Sequence, residues 1–174
     1  TVVELSDHIL PAFDTEVSQA LKEELEKNGV AVKTGTKVTE LIAQGGRIVK
    51  ARLEGKNESG EAVVEEIFAD LVINSAGIAP ATSFIENVEK AKNGAICVNE
   101  RMETSVEDVY AAGDCSIMRS AITGLYTYAP LGTNANKQGR IIGDILGGVE
   151  PKPFKLIGSS ALRLFGMDAA TVSY

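Results

Sequence analysis

The stretch Thr104-Ser105-Val106-Glu107-Asp108-Val109-Tyr110-Ala111-Ala112-Gly113-Asp114 constrains the fold more than any other part of the chain. Residues 109–112 are a short apolar run with a β-favouring start, which predicts a buried strand of an α/β sheet. Gly113 then permits a backbone conformation, or a close approach, that a Cβ would hinder. Asp114 puts a carboxylate just past the strand's carboxyl end, where open α/β sheets bind ligands and where a polyol could donate hydrogen bonds to it. A strand ending in an ordinary Gly-Asp turn is the alternative reading of these residues alone.

Composition narrows the classes. The chain has 174 residues, enough for one sizeable core or two small ones, and its 44% hydrophobic and 24% charged residues are ordinary for a globular protein. With 17 basic against 24 acidic residues, net −7, it lacks the basic excess that binding to a phosphate backbone needs, so no nucleic-acid partner is expected. No apolar run approaches the roughly 20 residues of a membrane span, and no basic region followed by an apolar core opens the chain. A cytoplasmic protein with no membrane partner is the expectation. Cys97 and Cys115 are too far apart for a C-x-x-C pair and have no companion ligands for zinc, and His8 is the one histidine, so no metal site is expected.

Residues 1–5 are a β-type run that opens the chain abruptly, which points to a fragment. The paired glycines at 45–46 and 147–148 lack the spacing of a Gly-x-Gly-x-x-Gly phosphate loop. Glu4 sits at a strand end, where a Rossmann unit keeps the acid for ribose hydroxyls; a solvated strand-end residue is the other reading. Asp14 is a predicted N-cap, followed by an amphipathic helix through Val17, Ala20, Leu21 and Leu25 to Asn28-Gly29. A strand over 30–32 comes next, and then a meander over 38–42, 47–53 and 63–68 joined by turns at 44–46 and 56–60. Residues 70–74 predict a fully apolar parallel strand ending at Ser75-Ala76-Gly77, where Gly77 would let a flat ligand approach, or would simply make a turn.

Residues 84–88 predict a short helical turn and 94–98 a strand carrying Cys97 into the core. Cys115 follows an acidic residue, which opposes thiolate formation, and is read as structural. Residues 119–125 predict a polar loop. Thr133 is the predicted cap of a helix running to Leu146, with Ala135, Gly139, Gly143 and Gly147 on one closely packed face. Pro151-Lys152-Pro153 reads as a linker, and residues 156–165 with 167–172 as a strand entering a third domain.

Three motifs in order carry a resemblance. Residues 104–114 resemble the second FAD fingerprint of the two-dinucleotide-binding flavoprotein disulfide reductases. Tyr128-Ala129-Pro130-Leu131-Gly132-Thr133-Asn134-Ala135-Asn136-Lys137-Gln138-Gly139-Arg140 is similar to the flavin-facing helix start of the NADH oxidase, NADH peroxidase and coenzyme A-disulfide reductase branch. Gly158-Ser159-Ser160 with residues 161–165 is similar to the first strand of that branch's dimerisation domain.

The resemblance implies an incomplete α/β, FAD/NAD(P)-binding Rossmann-like three-layer fold with an antiparallel β-meander, the central fragment of such a flavoprotein. Residues 1–80 would be the C-terminal part of an NAD(P)-binding domain, 81–150 that of an FAD-binding domain, and 151–174 a linker and the start of a dimerisation domain. It implies FAD and NADH as cofactors, with Glu4 and Gly77 serving NADH, and Gly113, Asp114, Leu131, Gly132 and Thr133 serving FAD. No catalytic residue falls within the chain, because the family's redox cysteine belongs to a preceding segment.

The implied function is hydride transfer from NADH through flavin to a cysteine centre that reduces a small-molecule disulfide, oxygen or peroxide, in a homodimeric full-length parent. A stand-alone α/β domain serving binding or assembly, without catalysis, is the rival reading. Because no Gly-x-Gly-x-x-Gly loop is present, the chain by itself should not oxidise NADH above the buffer rate with FAD added, as steady-state absorbance at the nicotinamide band would record.

Overall fold

The computed structural model describes residues 1–56 and 59–173. The chain divides into two units, the first of Thr1–Ser75 with Ser160–Thr171 and the second built on Ala76–Ser159.

In the first unit, Val2–Val3 (β1) pairs in parallel with Val32–Lys33 (β2), Val2 opposite Val32, and the crossover between them is the helix Thr15–Lys27 (α1). Asp14 takes the N-cap position in extended conformation, as predicted, yet its side chain makes no capping hydrogen bond. Gly29, at φ +80, ends the helix in the left-handed region that favours glycine. The apolar stripe of α1 is buried as its three- and four-residue spacing predicts: Ile9, Leu21 and Leu25 form a core joined by Val17, Val30 and Val32.

Lys37–Gln44 (β3), Arg47–Lys56 (β4) and Ala62–Phe68 (β5) form the predicted antiparallel meander in the order β3-β4-β5. Gly45 and Gly46 both have positive φ, +57 and +78, which suits a two-residue hairpin loop closed by the Gln44–Arg47 pair. The predicted turn at 56–60 includes residues 57 and 58, which lie outside the described residues. Glu40, Arg52 and Glu66 sit directly opposite one another across the three strands, and the Arg52 guanidinium bonds both carboxylates, that of Glu66 at 3.0 Å.

In the second unit, Ile96–Cys97 (β6) pairs in parallel with Ser116–Arg119 (β7), which pairs antiparallel with Tyr126–Thr127 (β8). Strand alternation sorts the side chains. Ile96, Val98 and Met118 join Ile141 of the helix Gly132–Leu146 (α2) in one core with Met102, Ala111 and Leu156, while Cys97 and Ile117 join Ala95 in another. Residues 160–171 belong to the first unit, where the hairpin of Gly158–Leu164 (β9) and Met167–Ser173 (β10) packs Leu162, Leu164, Met167 and Ala169 onto the α1 core.

Three predicted elements differ. Residues 109–112 are not a strand: Tyr110 makes an isolated bridge to Glu103, and the N–H groups of Thr104 and Ala111 donate to Val109 and Met102, giving a tight local ribbon too short for a sheet. The core strand is β7, directly after Gly113-Asp114-Cys115. Residues 70–74 form no strand among the described residues, and Leu71 and Ile73 are 78% and 82% exposed. A fully apolar strand is stable only with both faces covered, and here these side chains have little to pack on. Residues 84–88 bend without a helix, because Asn87 takes φ +63 and the Glu89 N–H goes to Ser105 Oγ instead of a helical carbonyl.

Leu21 is fully buried, so Leu21→Ala should lower the unfolding free energy of the chain by about 2–5 kcal/mol in urea denaturation. The hydrogen bond from Arg52, then that from Lys50, holds the Glu66 carboxyl below its ordinary value of 4.5. A carboxyl lowered on folding stabilises above its unfolded value and loses that contribution as pH falls through the folded one. The difference in urea midpoint between the wild type and Glu66→Gln should therefore be present at neutral pH and vanish in acid.

Candidate functional site

A 3-10 turn, Gly113–Cys115, joins the local ribbon to β7 and is fastened to α2. The Gly113 N–H donates to Gln138 Oε1 at 2.7 Å, and Gln138 is buried. Gly113 takes φ +77, so the position calls for glycine by conformation, and a Cβ on it would touch the Ala135 Cβ at 3.4 Å. The Ser116 hydroxyl donates to the Gly113 carbonyl at 2.9 Å, and the Tyr128 phenol donates to the Asp114 carbonyl at 2.7 Å. Burial, then the Asp114 charge, pushes the Tyr128 phenol up and keeps that donor protonated.

Every backbone restraint on this turn leaves the Asp114 side chain outside. Asp114 is exposed, and no described residue donates a hydrogen bond to its carboxylate. The sequence predicts Thr133 as the cap of α2, but Leu131 holds the cap position, with φ −125 and ψ 132 and no side-chain bond. Its carbonyl takes the N–H groups of Asn134 and Ala135, while the Asn134 side chain reaches back to the Ala129 carbonyl at 3.2 Å. Gly132 and Thr133 are thus the first two helical residues, and their N–H groups have no acceptor among the described residues. Gly113, Asp114 and the helix start at Leu131, Gly132 and Thr133 belong to one unit, and the turn packs on α2.

On the face predicted to pack closely, Ala135 meets Gly113 and a Cβ at Gly147 would press on the Gly143 carbonyl at 3.2 Å, but a Cβ at Gly139 or Gly143 would have nothing within 4 Å. Gln138 and Tyr128, which fix the turn, have no role in the sequence reading. The available signal was Asn134 and Gln138 alternating with Ile141, Ile142 and Ile145 on the inner side of an amphipathic helix, where a polar group must find a partner.

In the other unit, Glu4 follows β1 directly and is half-buried. Its main chain extends the parallel pairing: its N–H donates to Lys33 at 2.8 Å, its carbonyl accepts from Thr36 at 2.9 Å, and the Ser6 carbonyl accepts from Gly35 at 2.7 Å. The carboxylate is itself held, because the Ser6 N–H donates to Glu4 Oε1 at 2.8 Å. Gly77 takes φ +90 in open surroundings, a conformation that explains a glycine there; it lies in the second unit and Glu4 in the first.

Cys97 is buried and borders a cleft of about 320 Å³ with Glu89, Arg119 and Tyr126. Burial, then the Glu89 charge, pushes its thiol up, so it is a neutral core group. The Cys115 thiol donates to the Ala112 carbonyl at 3.2 Å. Among the described residues no helix is long and apolar enough to cross a membrane, and no three His, Cys, Asp or Glu side chains gather in a metal-holding group.

Residues 1–139 match the family described as pyridine nucleotide-disulphide oxidoreductase. A protein named NADH oxidase from Methanocaldococcus jannaschii is 32% identical over 96% of this chain, which spans 36% of that protein. An NAD(P)H sulfur oxidoreductase (CoA-dependent) from Pyrococcus abyssi is 34% identical over 90% of the chain, which spans 33% of it. The crystal structure of an FAD-dependent pyridine nucleotide-disulphide oxidoreductase from Desulfovibrio vulgaris superposes with a TM-score of 0.84 at 37% identity, over 98% of this chain and 42% of that one. The mixed α/β architecture expected from the motifs is thus shared, and the chain belongs to the pyridine nucleotide-disulphide oxidoreductase family.

Proposed function

We propose that the chain is the central part of an FAD-dependent enzyme that passes hydride from NADH through flavin to a cysteine redox centre. That centre reduces a small-molecule disulfide such as coenzyme A disulfide, oxygen or peroxide; relatives named NADH oxidase and NAD(P)H sulfur oxidoreductase (CoA-dependent) support the NADH-dependent oxidoreduction itself. The observation that carries this reading is the turn at Gly113 and Asp114, fastened to α2 with one carboxylate and two helix N–H groups left without a partner among the described residues.

Those groups fit a flavin. Asp114 accepts hydrogen bonds from the ribitol hydroxyls, and the missing Cβ of Gly113 keeps the turn tight on the helix. The N–H groups of Gly132 and Thr133, beside Leu131, would hold the pyrimidine edge, where the positive end of α2 favours negative charge. The flavin, when bound, supplies the hydride and electron chemistry, and the chain supplies placement and electrostatics. Glu4 would accept from the ribose hydroxyls of NADH, and Gly77 is a position whose missing Cβ would admit a flat ligand.

In this reading residues 1–80 complete an NAD(P)-binding domain, 81–150 an FAD-binding domain, and 151–174 lead into a dimerisation domain of a cytoplasmic homodimer.

Two measurements on the full-length enzyme test it. Removing a charged hydrogen-bond partner costs about 1.5–3 kcal/mol, so Asp114→Ala should weaken FAD retention roughly ten- to a hundredfold in a flavin-fluorescence titration; unchanged retention would refute the flavin assignment. A 2′-phosphate about 4 Å from the Glu4 carboxylate meets roughly 1–4 kcal/mol of repulsion, so kcat/KM should favour NADH over NADPH by about tenfold or more, and Glu4→Ala should shrink that ratio.

A further inference from the structure

The Glu4 carboxylate is not a free strand-end group. One of its oxygens already takes the Ser6 N–H at 2.8 Å, and residues 4–6 are strapped to residues 33–36 by three main-chain bonds of 2.7–2.9 Å. Ser6 N–H has no other acceptor among the described residues. The same amide is therefore committed before any nucleotide arrives.

Resting on the reading that Glu4 takes the NADH ribose, we propose that the Ser6 main-chain N–H is a positioning and specificity group acting through Glu4. Donating to Oε1, it fixes the carboxylate rotamer, so that the second oxygen and the remaining lone pair of Oε1 are presented to the vicinal diol without further loss of side-chain freedom. A Glu side chain gives up substantial rotamer entropy when ordered, and here that ordering precedes binding.

The bond has a second consequence. A main-chain N–H next to a ribose site is a natural donor to a phosphate, and here it is withheld by an internal acceptor. A 2′-phosphate thus meets a fixed negative charge and finds the nearest amide already occupied. Leu5, the intervening residue, offers no compensating donor from its side chain, and neither Asp7 nor the His8 imidazole adds a free cation: His8 Nδ1 is 2.5 Å from Asp7 Oδ1. Discrimination at this site is built from an attractive element for the diol and an unpaid desolvation of the phosphate.

Proline at position 6 deletes the N–H and keeps the carbonyl that Gly35 needs. In the full-length enzyme, steady-state kinetics should put KM for NADH of Ser6→Pro about three- to tenfold above that of Ser6→Ala, which loses the hydroxyl and keeps the amide, with the effect on KM and not on kcat. Glu4→Ala frees the amide, so its gain in kcat/KM for NADPH should fall about threefold or more in Glu4→Ala/Ser6→Pro.

Equal KM values for Ser6→Pro and Ser6→Ala, at equal flavin content, would overturn the proposal. Should Ser6→Pro hold no flavin, Glu4→Gln decides, because its amide oxygen still accepts from Ser6. A larger NADPH gain for Glu4→Ala than for Glu4→Gln supports release of the N–H, and an equal or smaller one overturns it. Glu4→Ala with both nucleotides unaffected would instead remove the ribose reading on which the proposal stands.

Discussion

A hydrogen bond of 2.7 Å, from the Gly113 N–H to the side-chain oxygen of Gln138, ties the one exposed carboxylate of interest to the core of its unit. Gln138 is buried on the inner side of α2, and its amide nitrogen faces the Met118 sulfur at 3.8 Å, so its oxygen has one strong use. Losing the bond would strand the buried Gln138 oxygen without a partner, which costs about 1–3 kcal/mol. Gly113 is constrained by its left-handed backbone, at φ +77. The position of Asp114 is therefore set by β7, α2 and the Met118–Ile141 core together, and not by a flexible loop.

Glu4 follows the same logic with different parts. A two-residue parallel pair is too short to be rigid by itself, but main-chain bonds continue past it to residues 34–36, and α1 is packed across it through Leu21 and Leu25. Glu4 stands directly after a short strand and Asp114 directly before one, each on backbone held by hydrogen bonds to a neighbouring segment. Both present oxygen acceptors on preorganised backbone, which is what recognition of hydroxyl-rich ligands requires.

The sequence was most legible where local patterning and tertiary structure agree. The spacing of Val17, Leu21 and Leu25 gave α1, and the Gly45-Gly46 hairpin with alternating neighbours gave the meander. It was least legible where a run's apolar character has two outlets. Residues 109–112 look like a core strand, but Val109 faces solvent and the sheet begins later, at Ser116, whose polar start hides it. Tyr126–Thr127 was missed because two residues carry no period. Residues 70–74 have the composition of a buried strand and find no cover within the described chain. Glu4 does lie at a strand end as its position suggested, but the strands expected before Gly77 and before Gly113 and Asp114 are not formed, and Gln138 and Tyr128 act through backbone groups that only the folded chain brings near.

The central claim is that Asp114 and the start of α2 form one flavin-holding surface. A crystal structure of the full-length enzyme with FAD tests it most directly. The account predicts a carboxylate oxygen of Asp114 about 2.5–3.0 Å from a ribitol hydroxyl, with the N–H groups of Gly132 and Thr133 directed at the pyrimidine edge. A flavin bound with the Asp114 side chain turned to solvent, or lying away from the amino end of α2, would contradict it.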